Sequence, residues 1–295
     1  MFNLRGMYAP IATPFENDEI AYDRLEENMN FWLNSKLSGF MVMGSNGEFV
    51  VMKPEEKKEL IRAVCEMSKG KKPVIAGTAC ESTRDTIELT EFAAKVGADA
   101  AIMINPNYYK RALSDEVIKT YYIDVANASP IPVLLYNNPA NTGINLSSKL
   151  VADLSYHPNI IGIKDAGGNI VQIAEIINNS DPNFVVHAGS ANFLYPSYVL
   201  GAVGGTCALA NILPDECAEI QELVDANKHN EARLLQLRLL EINHSVTARW
   251  GISGLKAAME MLGLFGGIPR RPLLPLSDQD KKLLRDILEK AKKPA

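Results

Sequence analysis

A single lysine follows an apolar run in the segment NIIGIKDAGGN, which spans residues 159–169. Only isoleucine and glycine occupy the four positions before Lys164, a pattern typical of a buried strand that ends at the lysine. Enclosure at such a strand end disfavours the ammonium form, and the neutral amine is a nucleophile. Its natural target is a ketone or aldehyde carbon, with which it forms a Schiff base that withdraws electrons from the adjacent C–C bond. The residues alone also allow a plain ion pair between Lys164 and an acid such as Asp165.

Two further segments carry groups that suit the same chemistry. Tyr136 closes the apolar run IPVLLY, and a phenol there can move the proton that carbinolamine formation and C–C cleavage require. The segment GSNGE, residues 44–48, places Ser45 and Asn46 in a glycine-flanked turn. Backbone N–H groups of such a turn suit a carboxylate, and the Ser45 hydroxyl can relay a proton. The alternatives are a ring that only packs and a tight turn without a ligand, and Glu48 is predicted to be a structural partner of a nearby group.

The elements that must position these residues recur about every thirty residues. Eight short apolar runs, most of them followed by a turn and an amphipathic helix, begin near Met7, Phe40, Pro73, Ala100, Ile131, Ile160, Phe184 and Gly204. Continuous apolar strands that alternate with helices indicate a parallel sheet with both faces covered. Eight such units predict an α/β fold, a (β/α)₈ TIM barrel whose active site lies at the carboxyl ends of the strands. Lys164, Tyr136 and Ser45 all stand at such ends.

The chain is predicted to form one structural unit with two parts. Residues 1–213 are assigned to the barrel, and residues 214–295 to its last helix plus a C-terminal helical extension. Helices are predicted in the second part from Pro214 to about His244, from Ile252, and from Ser277. Serine N-caps support helices that begin after Ser82, Ser114 and Ser277.

Composition excludes several classes of function. Lys and Arg number 30 and Asp and Glu 35, so the formal net charge is −5, and nothing indicates a nucleic-acid or membrane surface. The first residues, MFNLRGMYAPIATPF, lack the apolar core of a signal peptide. Four scattered cysteines fit reduced thiols in a cytoplasmic protein, and the four histidines show no metal-ligand spacing. We therefore predict a cytoplasmic protein with no metal, no nucleic acid and no membrane partner.

The motifs together resemble those of the Schiff-base, pyruvate-handling aldolase superfamily of dihydrodipicolinate synthase and N-acetylneuraminate lyase. GSNGE resembles its G-[ST]-x-G-E signature, and YNNPANTG its Y-N-x-P-x-x-T-G signature. GIKDAGG resembles the segment that carries the imine-forming lysine, and LGAVGGTCALANILP the glycine-rich motif of the eighth strand. The resemblance covers essentially the whole chain, with the motifs in the order that the family requires.

The resemblance implies a role for each matching residue. Lys164 would bind the keto carbon of pyruvate, Tyr136 would shuttle protons, and Ser45 would link it to Tyr108, supplied across a dimer interface. No added cofactor is expected, because the imine forms on Lys164 itself. The resemblance also implies a homo-oligomer, a dimer of dimers. The predicted substrate-binding residues are Ser45, Asn46, Asn141, Thr142, Gly189 and Cys207.

The choice among members depends on two positions. Dihydrodipicolinate synthases usually carry an arginine where this chain has Asn141, and an amide offers a substrate carboxylate neither the charge nor the fork of a guanidinium. The motifs are more similar to the 4-hydroxy-2-oxoglutarate aldolase branch, which yields pyruvate and glyoxylate, although its members often have a serine at the position of Ala166. The alternatives are a dihydrodipicolinate synthase, a sugar-acid aldolase or dehydratase, and a non-catalytic barrel that binds a keto acid.

Overall fold

Eight parallel strands form a closed barrel in the computed structural model, which describes residues 4–293. The strands, in chain order, are β1 (Gly6–Pro10), β2 (Gly39–Val42), β3 (Val74–Gly77), β4 (Ala100–Ile104), β5 (Val133–Asn137), β6 (Ile160–Asp165), β7 (Val185–Ala188) and β8 (Gly204–Thr206). Each strand pairs with the next, and β1 closes the barrel against β8, with Gly6 opposite Gly204. The predicted (β/α)₈ barrel is confirmed.

Helices cover the outside of the barrel and continue beyond it. Those longer than four residues are α1 (Tyr22–Leu33), α2 (Pro54–Ser68), α3 (Thr83–Lys95), α4 (Asp115–Ala128), α5 (Ser148–Ser155), α6 (Ile170–Asn179), α7 (Leu194–Leu200), α8 (Pro214–Asp225), α9 (His229–His244), α10 (Gly251–Met261) and α11 (Asp278–Lys292). A single helical turn, Pro139–Thr142, follows β5. The serine caps behave as predicted, since the Ser82, Ser114 and Ser277 hydroxyls each accept a backbone N–H of the first helical turn. Each such cap typically contributes about 1 kcal/mol.

Side chains alternate between two buried regions along each strand. In β1, Met7 and Ala9 belong to the large core between strands and helices. Tyr8 instead joins Met41 and Tyr136 in a smaller cluster that fills the barrel interior. This alternation follows from the twofold period of a strand, and it explains why Lys164, opposite Tyr136 in the β5–β6 register, also points into the barrel.

The C-terminal extension differs from the prediction at its first helix. The single helix predicted from Pro214 to about His244 is two helices, because the chain turns at Asn227, whose φ is 58°. Asparagine is one of the few residues that adopt this left-handed conformation at low cost. Between α9 and α10 the chain forms one π-helical turn, Ser245–Arg249. Within residues 4–293, no helix combines the length and the apolar character needed to cross a membrane.

Candidate active site

A cavity of about 590 Å³ opens where the barrel strands end. Two parts of the chain line it, and we call them the barrel wall and the extension wall. The barrel wall includes Ser45, Asn46, Tyr136, Asn138, Asn141, Lys164, Ala166 and Gly189, while the extension wall consists of residues 246–248, 250–253 and Leu273. Such concave sites at the strand ends are where barrels of this type place their chemistry.

Lys164 lies at the inner end of this cavity and is 3% exposed. Its Nζ lies 4.1 Å from the centroid of the Tyr136 ring and 3.7 Å from Sδ of Met41. Among the ion pairs of residues 4–293, none involves Lys164. The amine thus lies at the cavity with no carboxylate bonded to it, a position from which its nitrogen can attack a carbonyl carbon.

Asp165, the neighbour of Lys164 in β6, points the other way and has its own partners. Its carboxylate accepts hydrogen bonds from Asn137 Nδ2 at 2.8 Å, from the Gly167 N–H at 2.8 Å and from Gln172 Nε2 at 3.2 Å. The ion pair that the sequence allowed between Lys164 and Asp165 is therefore not formed. The network instead fixes the end of β6, and with it the backbone that carries Lys164.

Tyr136 is buried at the end of β5 beside the lysine. Its hydroxyl accepts a hydrogen bond from Asn138 Nδ2 at 3.0 Å. Burial raises the pKa of Tyr136, but the charge of Lys164 and the hydrogen bonds with Ser45, Lys164 and Asn138 outweigh burial and lower the pKa below its usual value of 10.0. A phenol that ionises more readily than usual, next to an amine, is suited to proton transfer.

Ser45 and Asn46 lie in a tight turn, Ser45–Gly47, that follows β2. The Thr13 hydroxyl donates to the Gly47 carbonyl at 2.9 Å, which ties this turn to the segment after β1. A Cβ at Gly47 would meet the Ile11 carbonyl oxygen at 3.3 Å, so the close approach favours glycine. The turn thus has a fixed position at the cavity, where the Ser45 hydroxyl reaches Tyr136.

The other predicted substrate-binding residues fall into two groups. Asn141 and Gly189 line the cavity, and a Cβ at Gly189 would come within 2.5 Å of the Asp165 carbonyl oxygen. Thr142 is buried behind the wall, where its hydroxyl donates to Asn138 and Ile144 carbonyls and shapes the loop.

Cys207 and Tyr108 lie outside the cavity lining. Cys207 is fully buried, with its Sγ 4.0 Å from that of Cys217 and 3.8 Å from Met7 Sδ; only its neighbour Ala208 reaches the cavity. Tyr108 is 78% exposed on the loop after β4. Within this chain, therefore, neither side chain joins the group formed by Lys164, Tyr136 and Ser45.

Sequence reasoning missed Asn138 and the whole extension wall. Asn138 sits inside the YNNPANTG motif, so a signal was present, but its amide becomes informative only when its bond to Tyr136 is seen. The extension wall comes from a π-helical turn and the start of α10, and no periodicity in the sequence marks it. Among residues 4–293, no group of three or more His, Cys, Asp or Glu side chains could hold a metal ion.

Known proteins are similar to this chain over nearly its whole length. The family model described as the dihydrodipicolinate synthetase family matches residues 3–291. The 4-hydroxy-tetrahydrodipicolinate synthase of Methanocaldococcus jannaschii is 34% identical over 286 residues, which cover 97% of this chain and 98% of that protein. A probable mitochondrial 4-hydroxy-2-oxoglutarate aldolase of Emericella nidulans is 33% identical over 292 residues, covering 97% and 94% of the two chains.

Solved structures agree with these sequence relatives. A crystal structure of dihydrodipicolinate synthase from Bacillus anthracis superposes with a TM-score of 0.95 at 30% identity and covers 100% of both chains. A variant described as the first monomeric dihydrodipicolinate synthase gives a TM-score of 0.92 at 25% identity, covering 98% of this chain and 97% of that chain. The likeness thus extends through the helical extension as well as the barrel.

Proposed function

We propose, from the premise that the chain belongs to the dihydrodipicolinate synthetase family, that Lys164 forms an imine with the keto carbon of a pyruvate-derived 2-oxo acid. Enzymes of this family are pyruvate-dependent lyases and synthases that use a Schiff-base lysine and no added cofactor. The observation that carries the proposal is the buried Lys164 amine against the Tyr136 ring, with no acid of residues 4–293 paired to it.

The neighbouring groups fit the proton transfers of such a reaction. The Lys164 amine adds to the ketone, and the carbinolamine loses water to give the imine. Tyr136 donates a proton to the hydroxyl that leaves the carbinolamine as water, and the phenolate formed then takes the proton of the 4-hydroxyl as the C3–C4 bond breaks. An aldehyde leaves, Tyr136 returns this proton to C3 of the enamine, and hydrolysis of the imine releases pyruvate. The Ser45 hydroxyl lies in contact with Tyr136, and the backbone N–H groups of Ser45 and Asn46 suit the pyruvate carboxylate.

Borohydride reduction in the presence of pyruvate tests the imine directly. We expect one added reduced pyruvyl group per chain, found on the peptide that contains Lys164. The Lys164→Ala variant is the control, and it should keep the fold, lose turnover and take up no pyruvate. An unmodified wild-type lysine, or full activity in the variant, contradicts the proposal. Stabilisation by pyruvate without any imine would favour the non-catalytic keto-acid-binding barrel.

The substrate proposed first is 4-hydroxy-2-oxoglutarate, cleaved to pyruvate and glyoxylate. Two observations support this substrate. Asn141 lies in the cavity wall and lacks the charge with which an arginine would bind the carboxylate of the semialdehyde. The relative in Emericella nidulans is named for this activity. Ala166 in the same wall is a departure from this branch, because it offers no hydroxyl to the distal carboxylate of the substrate. The synthases among the relatives keep dihydrodipicolinate synthesis as the second candidate, ahead of a sugar-acid aldolase or dehydratase.

Steady-state kinetics separate these substrates. We expect kcat/KM for cleavage of 4-hydroxy-2-oxoglutarate to exceed, by about tenfold or more, both kcat/KM for condensation of pyruvate with aspartate semialdehyde and that for cleavage of a sugar-derived 2-oxo acid. A higher value for the semialdehyde makes the protein a dihydrodipicolinate synthase, and the imine chemistry stands in either case.

Assembly and location are proposed on the same family basis. A dimer of dimers would let Tyr108, exposed here, meet Ser45 of a second copy. The division at residue 213 into barrel and extension is likewise a prediction. So is the cytoplasmic location, and the relative in Emericella nidulans carries a mitochondrial name.

A further inference from the structure

A buried ion pair lies behind the cavity, between the two segments that carry its walls. Glu48 Oε1 lies 2.6 Å from Lys256 Nζ, and each side chain is 1% exposed. The other carboxylate oxygen of Glu48 accepts the backbone N–H of Arg270 at 2.8 Å. One carboxylate thus holds both α10 and the segment that follows it.

The two partners connect directly to cavity-lining residues. Glu48 comes immediately after the Ser45–Gly47 turn. Lys256 lies in α10, whose first residues, Gly251, Ile252 and Ser253, belong to the extension wall. The ion pair therefore sets the distance between the turn that contacts Tyr136 and the opposite side of the cavity.

The surroundings make this pair costly as well as rigid. The Phe15 ring lies 4.6 Å from Lys256 Nζ and 4.3 Å from the Arg270 guanidinium carbon. Burial lowers the pKa of Lys256 against the opposing effect of Glu48. Glu48 also has a φ of 60°, a left-handed conformation that is strained for a non-glycine residue and persists only where the surroundings hold it.

A hydrophobic pair of similar volume is often as stable as a buried ion pair, so stability alone gives no reason for these charges. We infer that Glu48 is a positioning residue, whose bonds to Lys256 and Arg270 hold the Ser45–Asn46 turn in register with Tyr136 and Lys164. The inference deepens the proposed function and rests on it for its kinetic consequence. Its structural consequence is independent of the reaction, because Ser45 and Tyr136 line the same cavity and Ser45 lowers the pKa of Tyr136 without any substrate.

The first variants to compare are Glu48→Gln and the double variant Glu48→Gln/Lys256→Met. Glu48→Gln leaves an unpaired buried cation, which is destabilising by itself. The double variant removes both charges and should regain most of the lost melting temperature. If the ion pair acts only on stability, the double variant also regains wild-type kinetics. If the ion pair positions the turn, the KM of the double variant for pyruvate stays raised by about tenfold or more. The imine should still be trapped at saturating pyruvate.

A spectroscopic measurement makes the test independent of turnover. The bond with Ser45 lowers the pKa of Tyr136, so a displaced turn should raise the tyrosinate titration midpoint of Tyr136, identified by difference against Tyr136→Phe. Glu56→Gln is the matched control. Glu56, in α2, pairs with the Arg270 side chain at 2.6 Å, and its replacement removes this ion pair but keeps the Glu48 carboxylate beside the turn.

Each combination of results has one meaning. A raised KM and a raised Tyr136 midpoint in the double variant, with both unchanged in Glu56→Gln, support the inference. A wild-type value of either quantity in the double variant overturns it, as does an equal change in the control. Failure of the proposed function appears separately, as absence of imine in the wild-type protein.

Discussion

Tyr136 is the residue whose properties depend most on its neighbours. Its ring contacts the Lys164 amine, and its hydroxyl is bonded to Asn138 and Ser45. Each of these groups stabilises the phenolate relative to the phenol. The residue can therefore exchange a proton at a pH where an isolated tyrosine would hold it.

Replacement of Lys164 should change the titration of Tyr136. In Lys164→Met the ammonium is lost, so we expect the tyrosinate midpoint of Tyr136 to rise, measured by ultraviolet difference titration against Tyr136→Phe. Wild-type activity should fall on the alkaline side as Tyr136 loses its proton, at a pH below 10 because its pKa is lowered. Tyr136→Phe should reduce kcat by about 10²–10⁴-fold. An unchanged midpoint in Lys164→Met contradicts this account.

At this scale the sequence contained most of the site. Lys164, Tyr136 and Ser45 were predictable because each ends an apolar run or lies in a glycine-flanked turn. Asn138 was not, because an amide in a loop has several equivalent roles until its partner is known. Tyr108 is predicted to act across an interface, which one chain does not show. The Cys207 side chain packs against Cys217 and Met7 rather than facing the cavity, and nothing in the glycine-rich motif indicates that direction.

His187, in β7, connects its strand to β8 and to the segment that precedes β1. Its Nε2 bonds the Leu4 carbonyl oxygen at 2.6 Å, and its Nδ1 bonds the Thr206 hydroxyl at 2.9 Å. The Leu4 carbonyl can only accept, so Nε2 is the donor, and in the neutral imidazole Nδ1 accepts from the Thr206 hydroxyl. Burial, with a further contribution from Lys164 and against the effect of the Leu4 bond, lowers the pKa of His187 to about 4.

This arrangement predicts a loss of stability in mild acid. An unfolded histidine takes up a proton near pH 6.5 and the folded one only near pH 4, so the unfolded state binds more protons between these values. Stability therefore falls as the pH decreases through this window, by about 3 kcal/mol in total. Urea unfolding of wild type and His187→Asn at pH 7 and pH 4.5 checks this. Equal acid sensitivity in both proteins would exclude His187 as the cause.

At the scale of elements, the eight strands and most helices followed from the sequence because apolar runs and serine caps are local signals. The break at Asn227 was missed because the polar residues around it continue a helical pattern on either side. The π-helical turn at Ser245–Arg249 was missed because such turns are rare and no periodicity in the sequence marks this one.

The whole molecule is predicted to need a second copy to complete its site. If Tyr108 serves the partner's site, the Tyr108→Phe and Lys164→Ala variants should complement each other when refolded or expressed together. A hybrid dimer has one site with both Lys164 and a partner's tyrosine, so an equal mixture should regain activity in about a quarter of its sites. Size-exclusion chromatography with light scattering gives the assembly. A mixture no more active than the average of its parents contradicts the shared site.

The closure of the barrel between β1 and β8 also has a consequence for synthesis on the ribosome. β1 ends at Pro10, but its second neighbour, β8 (Gly204–Thr206), is made about two hundred residues later. At about 5–20 residues per second, one edge of β1 stays open for roughly 10–40 s. Nascent chains that end before β8 expose an apolar strand edge, which is a template for aggregation. Release of a chain truncated before β8 should therefore yield aggregates rather than a smaller folded barrel.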